Sequence, residues 1–125
     1  MRLVLDAGAF IAAERHDPRI LAFLARAKER SIPLLTSSPI VGQVWRDGRR
    51  QANLARLLSG VEIIAPDDSA ARRAGLVLAK TGTFDIVDAL LAGLCAANDV
   101  VVTSDPDDIR LLVQAQGMRP EIVAV

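Results

Sequence analysis

The feature that most constrains this chain is its rhythm. Short, continuous apolar runs alternate with longer stretches of helical period. The runs are "RLVL" at 2–5, "IPLLTS" at 32–37, "VEIIA" at 61–65, "VVVTS" at 100–104 and "EIVAV" at 121–125. A strand with one wet face alternates apolar and polar residues. A strand covered on both faces is apolar throughout, and that is the habit of parallel sheets buried between helices. The intervening segments read as helices: "AGAFIAAE", "DPRILAFLARAKER", "SPIVGQVWRDGRR", "QANLARLLSG", "DSAARRAGLVLAKTG", a segment from "FDIVD" to about Asn98, and "DPDDIRLLVQAQG". Asp17 with Pro18, and Ser38 with Pro39, are cap-plus-first-position pairs, while Gly60 and Gly82 are stops. The expectation is an α/β fold with a central parallel sheet of about five strands. At 125 residues it makes one domain, 1–125.

In such sheets the functional crevice lies beyond the carboxyl ends of the strands, where strand order reverses. Two acids sit there. Asp6 follows "RLVL" directly and Asp105 follows "VVVTS". Each also reads as a helix cap, and "DPDD" has the form of an ideal helix start, so Asp107 and Asp108 are assigned to that role. Asp85 and Asp88 differ. They stand three apart in "TFDIVDALLAGLCA", a segment apolar on nearly every side and so expected to be a buried helix. A buried carboxylate is costly unless paired, hydrogen-bonded, metal-bound or protonated. Asp85 is expected in the first turn and Asp88 a turn further in, on one face.

Composition narrows the chemistry. His16, the single histidine, stands in the polar junction "ERHDP", and Cys95, the single cysteine, lies on an apolar helix. A His/Cys zinc site and a disulfide framework are therefore excluded, and Cys95 reads as a core side chain. No nucleotide-cradling Gly-rich loop and no Ser–His pairing is present. Carboxylates alone suit the hard cations Mg²⁺ or Mn²⁺ and metal-assisted hydrolysis, with phosphodiesters as natural substrates. Formal net charge is zero, so nucleic acid has to be met by a local basic patch. No apolar stretch is long enough to span a bilayer and the N-terminus lacks a signal pattern, so the expectation is a cytoplasmic protein.

The stretches "LVLDAGAFI", "FDIVDALLAGLCA" and "VVVTSDPDDI", in that order and spacing, resemble those of PIN-domain proteins, and more narrowly the VapC-type toxins of bacterial toxin–antitoxin pairs. The resemblance covers essentially the whole chain. It implies a three-layer α/β/α fold and a Mg²⁺- or Mn²⁺-dependent ribonuclease site built from four acids. It also implies a homodimer and a small antitoxin that covers the acidic groove. Matched by position, Asp6 is the first acid, Asp88 the third and Asp105 the fourth, with Thr103 and Ser104 as supporting hydroxyls. The second acid is a departure: where the family has Glu, this chain has Gln43. Two outcomes are open. Asp85 replaces the missing charge, or the site is catalytically weak and the domain binds RNA or an antitoxin without cutting.

The segment that carries Gln43 supplies the RNA-contact expectation. On one helix, Ile40, Val41, Val44 and Trp45 share a core or dimer face. Gln43, Arg46 and Arg50 share the other, with Arg49 at its edge, placed to hold phosphates or simply to be solvated. Rival enzymes fit less well. An aspartyl-phosphate phosphatase wants a second Asp two residues after the first, where this chain has Gly8. A phosphorylation receiver wants a Lys after a late strand, where it has Asp105 and Pro106.

Overall fold

The computed structural model describes residues 1–125. The elements are β1 (Leu3–Leu5), α1 (Ala7–Glu14), α2 (Pro18–Glu29), β2 (Leu34–Ser37), α3 (Ser38–Val44), α4 (Ala52–Leu58), β3 (Val61–Ile64), α5 (Asp68–Thr81), α6 (Ile86–Ala92), β4 (Val100–Thr103), α7 (Pro106–Ala115) and β5 (Glu121–Ala124). All five strands are parallel, in the order β3-β2-β1-β4-β5. The five apolar runs are these five strands. β1 and β4 are buried at every residue, as two-sided coverage requires.

Strand order decides the layers. From β1 the chain steps to β2 and β3 in one direction, then returns across the sheet to β4 and β5 on the other side of β1. Right-handed crossovers place the helices of the two journeys on opposite faces. Accordingly α1 packs with α2, α3 and α4, while α5, α6 and α7 pack with one another. The result is the three-layer α/β/α architecture. Its core runs through the sheet, with Phe10, Ile20 and Leu54 on one side and Leu91, Ile109 and Val113 among the fully buried side chains of the other helices.

The strand order reverses between β1 and β4, which pair with Leu5 opposite Val102. The Asp6 N–H donates to the Val102 carbonyl at 3.0 Å, so the pairing carries Asp6 to the end of its strand. At the other end of the sheet, Arg2 is tied to Asp99, just before β4. The Asp99 carboxylate is almost fully buried, 2.7 Å from the guanidinium, and it also accepts from the Arg2 and Ala96 N–H groups. These bonds hold the Asp99 carboxyl below the ordinary carboxylate range despite its burial. Replacing Asp99 with Ala removes the acceptor of four hydrogen bonds and is expected to cost about 2–4 kcal/mol in a urea unfolding titration. The wild-type contribution is present above the ordinary carboxylate range and is lost as pH falls through the depressed native value.

Three local expectations are corrected. The segment "SPIVGQVWRDGRR" is not one helix. It stops at Val44, because the Gln51 amide donates to the Val44 carbonyl while its oxygen accepts from the Arg46 and Asp47 N–H groups. Its N-cap position is Ser37 rather than Ser38, and the Ser37 hydroxyl makes no cap bond and is buried without a partner. Third, α6 ends at Ala92 instead of near Asn98, and it is not apolar-buried all round: Ile86 is exposed and Phe84 lies outside the helix in solvent.

Candidate carboxylate site at the strand-order reversal

Asp6 is the N-cap of α1, its Oδ1 accepting from the Ala7 N–H at 2.7 Å. It is buried, with 3 % of its surface exposed. Its Oδ2 accepts from the Thr103 hydroxyl at 2.6 Å, and the same hydroxyl oxygen accepts from the Asp105 N–H at 3.0 Å. Thr103 thus joins the first strand's acid to the backbone of the fourth strand's acid across the reversal. Ser104 is exposed beside it, and its position depends on Gly8. A Cβ at Gly8 would lie 2.5 Å from Ser104 Oγ and 2.9 Å from Ser104 N. Only a residue without a side chain lets α1 start this close to the loop after β4.

Asp105 occupies the N-cap position of α7 but makes no cap bond with its side chain, so the capping role expected from "DPDD" is unused. Asp85 does the reverse. It lies just outside α6, as its N-cap, and accepts from the Asp88 N–H at 3.0 Å. Asp88 is therefore in the first turn of α6 and not a turn further in. It is half-buried, and its carboxyl is pushed up to about 7. Burial is the main cause, followed by the negative charges of Asp6, Asp85 and Asp105 and then Asp108. Asp6 is raised too, by burial and by Asp105 and Asp85, with Thr103 and the Ala7 N–H opposing. Desolvation and like-charge proximity both disfavour the ionised form.

The four acids named from sequence thus lie close enough to perturb one another, and none is paired with a Lys or Arg. Asp108, which the sequence assigns mostly to the helix start, adds a smaller negative charge to the group. The signal was present: Asp105 and Asp108 repeat the spacing of Asp85 and Asp88. Donor type and uncompensated negative charge fit a hard divalent cation. As the side chains stand, no three of them form a ready ligating group. Both oxygens of Asp6 and one of Asp85 are engaged in hydrogen bonds, while the Asp88 and Asp105 carboxylates make none.

The remaining candidates lie on α3, which packs against α1 and α6, and in the loop that follows it. Gln43 is exposed near the end of α3 and its amide makes no hydrogen bond. Arg46, Arg49 and Arg50 sit in the loop after α3, so the helical face expected for them does not form. The Arg46 guanidinium donates to the Gly42 and Trp45 carbonyls, and Arg50 pairs with Asp47 at 3.6 Å. Trp45 folds over Gly48, where a Cβ would meet its ring at 2.8 Å. Cys95 is a buried core thiol, as expected, and burial pushes it up to about 12.

A groove of about 840 Å³ lies elsewhere, between α2 and α4 at the amino ends of the strands. Size favours that groove as a ligand site, but it gathers no cluster of acids. Charge and topology distinguish the reversal point instead. No helix is long and apolar enough to cross a membrane.

No curated protein matches the chain significantly. A family model described as PIN domain matches residues 3–112, a span that holds β1, β4 and all four acids. The chain belongs to the PIN domain family, whose members are generally nucleases that use divalent metal ions.

Proposed function

We propose that residues 1–125 act as one PIN-like domain, a divalent-metal-dependent endoribonuclease that serves as the toxin of a toxin–antitoxin pair. The supporting observation is the group of mutually repelling carboxylates, unpaired with any cation, at the point where strand order reverses. On this reading Asp6, Asp88 and Asp105, with Asp85 in place of the missing second acid, would hold Mg²⁺ or Mn²⁺. Held by these residues, such an ion would supply Lewis-acid chemistry: a water of lowered pKa and compensation of charge on the leaving oxygen.

The chain's own side chains divide the remaining work. Thr103 fixes the orientation of Asp6 and the approach of Asp105, with Ser104 alongside. Asp85 anchors the first turn of α6 and so sets the height of Asp88. Arg49, whose guanidinium has no ion pair or hydrogen bond, is the arginine of its loop left open to phosphate, with Arg46 and Arg50 beside it. The VapC-like pattern supports a homodimer and a small antitoxin that covers the acids. The apolar groove between α2 and α4 gives such a partner surface to bury.

The test is cleavage of a mixed RNA pool. Cutting is expected with Mg²⁺ or Mn²⁺, and it should stop with EDTA and be missing in Asp88→Asn. Cutting that survives both overturns the metal-site reading. A second reading, a weak or inactive module that binds RNA or an antitoxin, is favoured by Gln43 and by the lack of three acids already in ligating array. It predicts RNA binding without cutting. Gln43→Glu separates the two. If the lost charge limits the site, this variant lowers the metal concentration for half-maximal cutting by about tenfold. An unchanged titration would leave compensation to Asp85.

A further inference from the structure

We propose that Phe84 is a stacking platform for a nucleobase of the RNA strand whose phosphate lies at the carboxylates, an inference that rests on the nuclease reading above. The chain has four aromatic residues. Phe10 is buried, Phe23 is half-buried on α2, and Trp45 lies folded on Gly48. Phe84 leaves its ring most open, at 92 % exposure against 40 % for Trp45. An unpacked phenyl ring forfeits a large burial gain, and Ile86, exposed on the other side of Asp85, leaves apolar surface on both flanks of that acid.

The ring is held out by structure on both sides. The Thr83 N–H donates to the Leu78 carbonyl at 3.2 Å, and the Thr83 and Thr81 hydroxyls are bonded at 2.8 Å. On the other side Asp85 caps α6 through the Asp88 N–H. Phe84 therefore stands between two hydrogen-bonded segments, one residue from Asp85. The charge balance explains why such a contact matters. Net charge is zero and the crevice is negative, so the protein's overall field does not draw RNA in. Stacking on an aromatic face is independent of charge and tolerates any base, which suits a single-stranded substrate.

The experiment follows a labelled, mixed-sequence single-stranded RNA by fluorescence anisotropy, with Asp88→Asn as parent so that the strand survives. Phe84→Ala and Phe84→Leu are both expected to weaken binding by about tenfold, and Phe84→Trp to hold it within about twofold. The Ala loss should persist at high salt. Restoration by Leu would overturn stacking in favour of generic apolar contact. Unchanged RNA affinity with a smaller sedimenting mass in Phe84→Ala would overturn it in favour of a contact between copies of the chain. If the parent binds no RNA and the wild type cuts none, the nuclease reading itself fails. If the wild type cuts, the parent binds and Phe84→Ala binds equally, only the stacking fails.

Discussion

Asp88→Asn is expected to abolish cleavage and, at the same time, to make the metal-free protein more stable at pH 7. The two effects have one origin. In the native state the Asp88 carboxyl is raised to about 7 by burial and by three neighbouring acids, with a fourth adding to them. In the unfolded chain it ionises near the ordinary value of about 4. Between those pH values the native state binds more protons, so wild-type stability falls as pH rises from about 4 to about 7. Asn has no charge to lose or repel, so the variant lacks this slope. A shift of that size in a fully enclosed group would be worth about 4 kcal/mol. Asp88 is only half-buried, and solvent screening reduces the expected gain to about 1–2 kcal/mol. Thermal unfolding in EDTA at pH 7.5 and at pH 4 checks this. The variant melts several degrees higher at the first pH and close to the wild type at the second. Cleavage should fall by two or more orders of magnitude, as loss of an electrostatic contact in the transition state does. A variant less stable than wild type at both pH values would show that Asp88 is a structural acid, not a strained functional one.

Gly8→Ala is the second large effect. The added methyl would meet the Ser104 side chain at 2.5 Å and its backbone nitrogen at 2.9 Å. One contact is with backbone, so rotating Ser104 away does not relieve it. The start of α1 and the loop after β4 have to separate, and these carry Asp6 and Asp105. Overpacking of this kind costs about 1–3 kcal/mol. The larger effect is on the site, where a misplacement of about 1 Å lowers rate by roughly a hundredfold. Ser104→Gly in the Gly8→Ala background removes the side-chain part of the clash and should recover part of both losses. That non-additivity is read by unfolding and by cleavage rate across the four proteins of the cycle. Additive effects would place the two residues apart.

The sheet and the strand-end acids were legible in the sequence because both rest on local signals. A two-sided parallel strand must be continuously apolar, and "VVVTSD" and "LVLD" say so without reference to the rest of the chain. The closed turn at Gly82 was legible for the same reason, since its φ of 68° requires a residue tolerant of the left-handed region. What the sequence hid depends on contacts between segments. α3 stops at Val44 because a side chain seven residues on takes its last carbonyl, although "RDG" was a turn signal within the run. The burial expected around Asp88 was too complete: periodicity places Phe84 and Ile86 in an apolar run but does not reveal that nothing covers them. Asp88 is strained chiefly by partial burial, aggravated by neighbours from β1, β4 and α7 that only the strand order brings together. The different fates of Asp85 and Asp105, one a cap and one free, are also set by backbone geometry and not by residue type.

The central property of these acids is whether they hold a divalent ion. Calorimetric titration of Mn²⁺ into wild type and Asp88→Asn at pH 6.5 tests that directly. Wild type should bind with release of protons, since ligation requires the ionised carboxylate and Asp88 is largely protonated there. The variant should lose that proton release and most of the heat. Identical titrations of the two proteins would contradict the site.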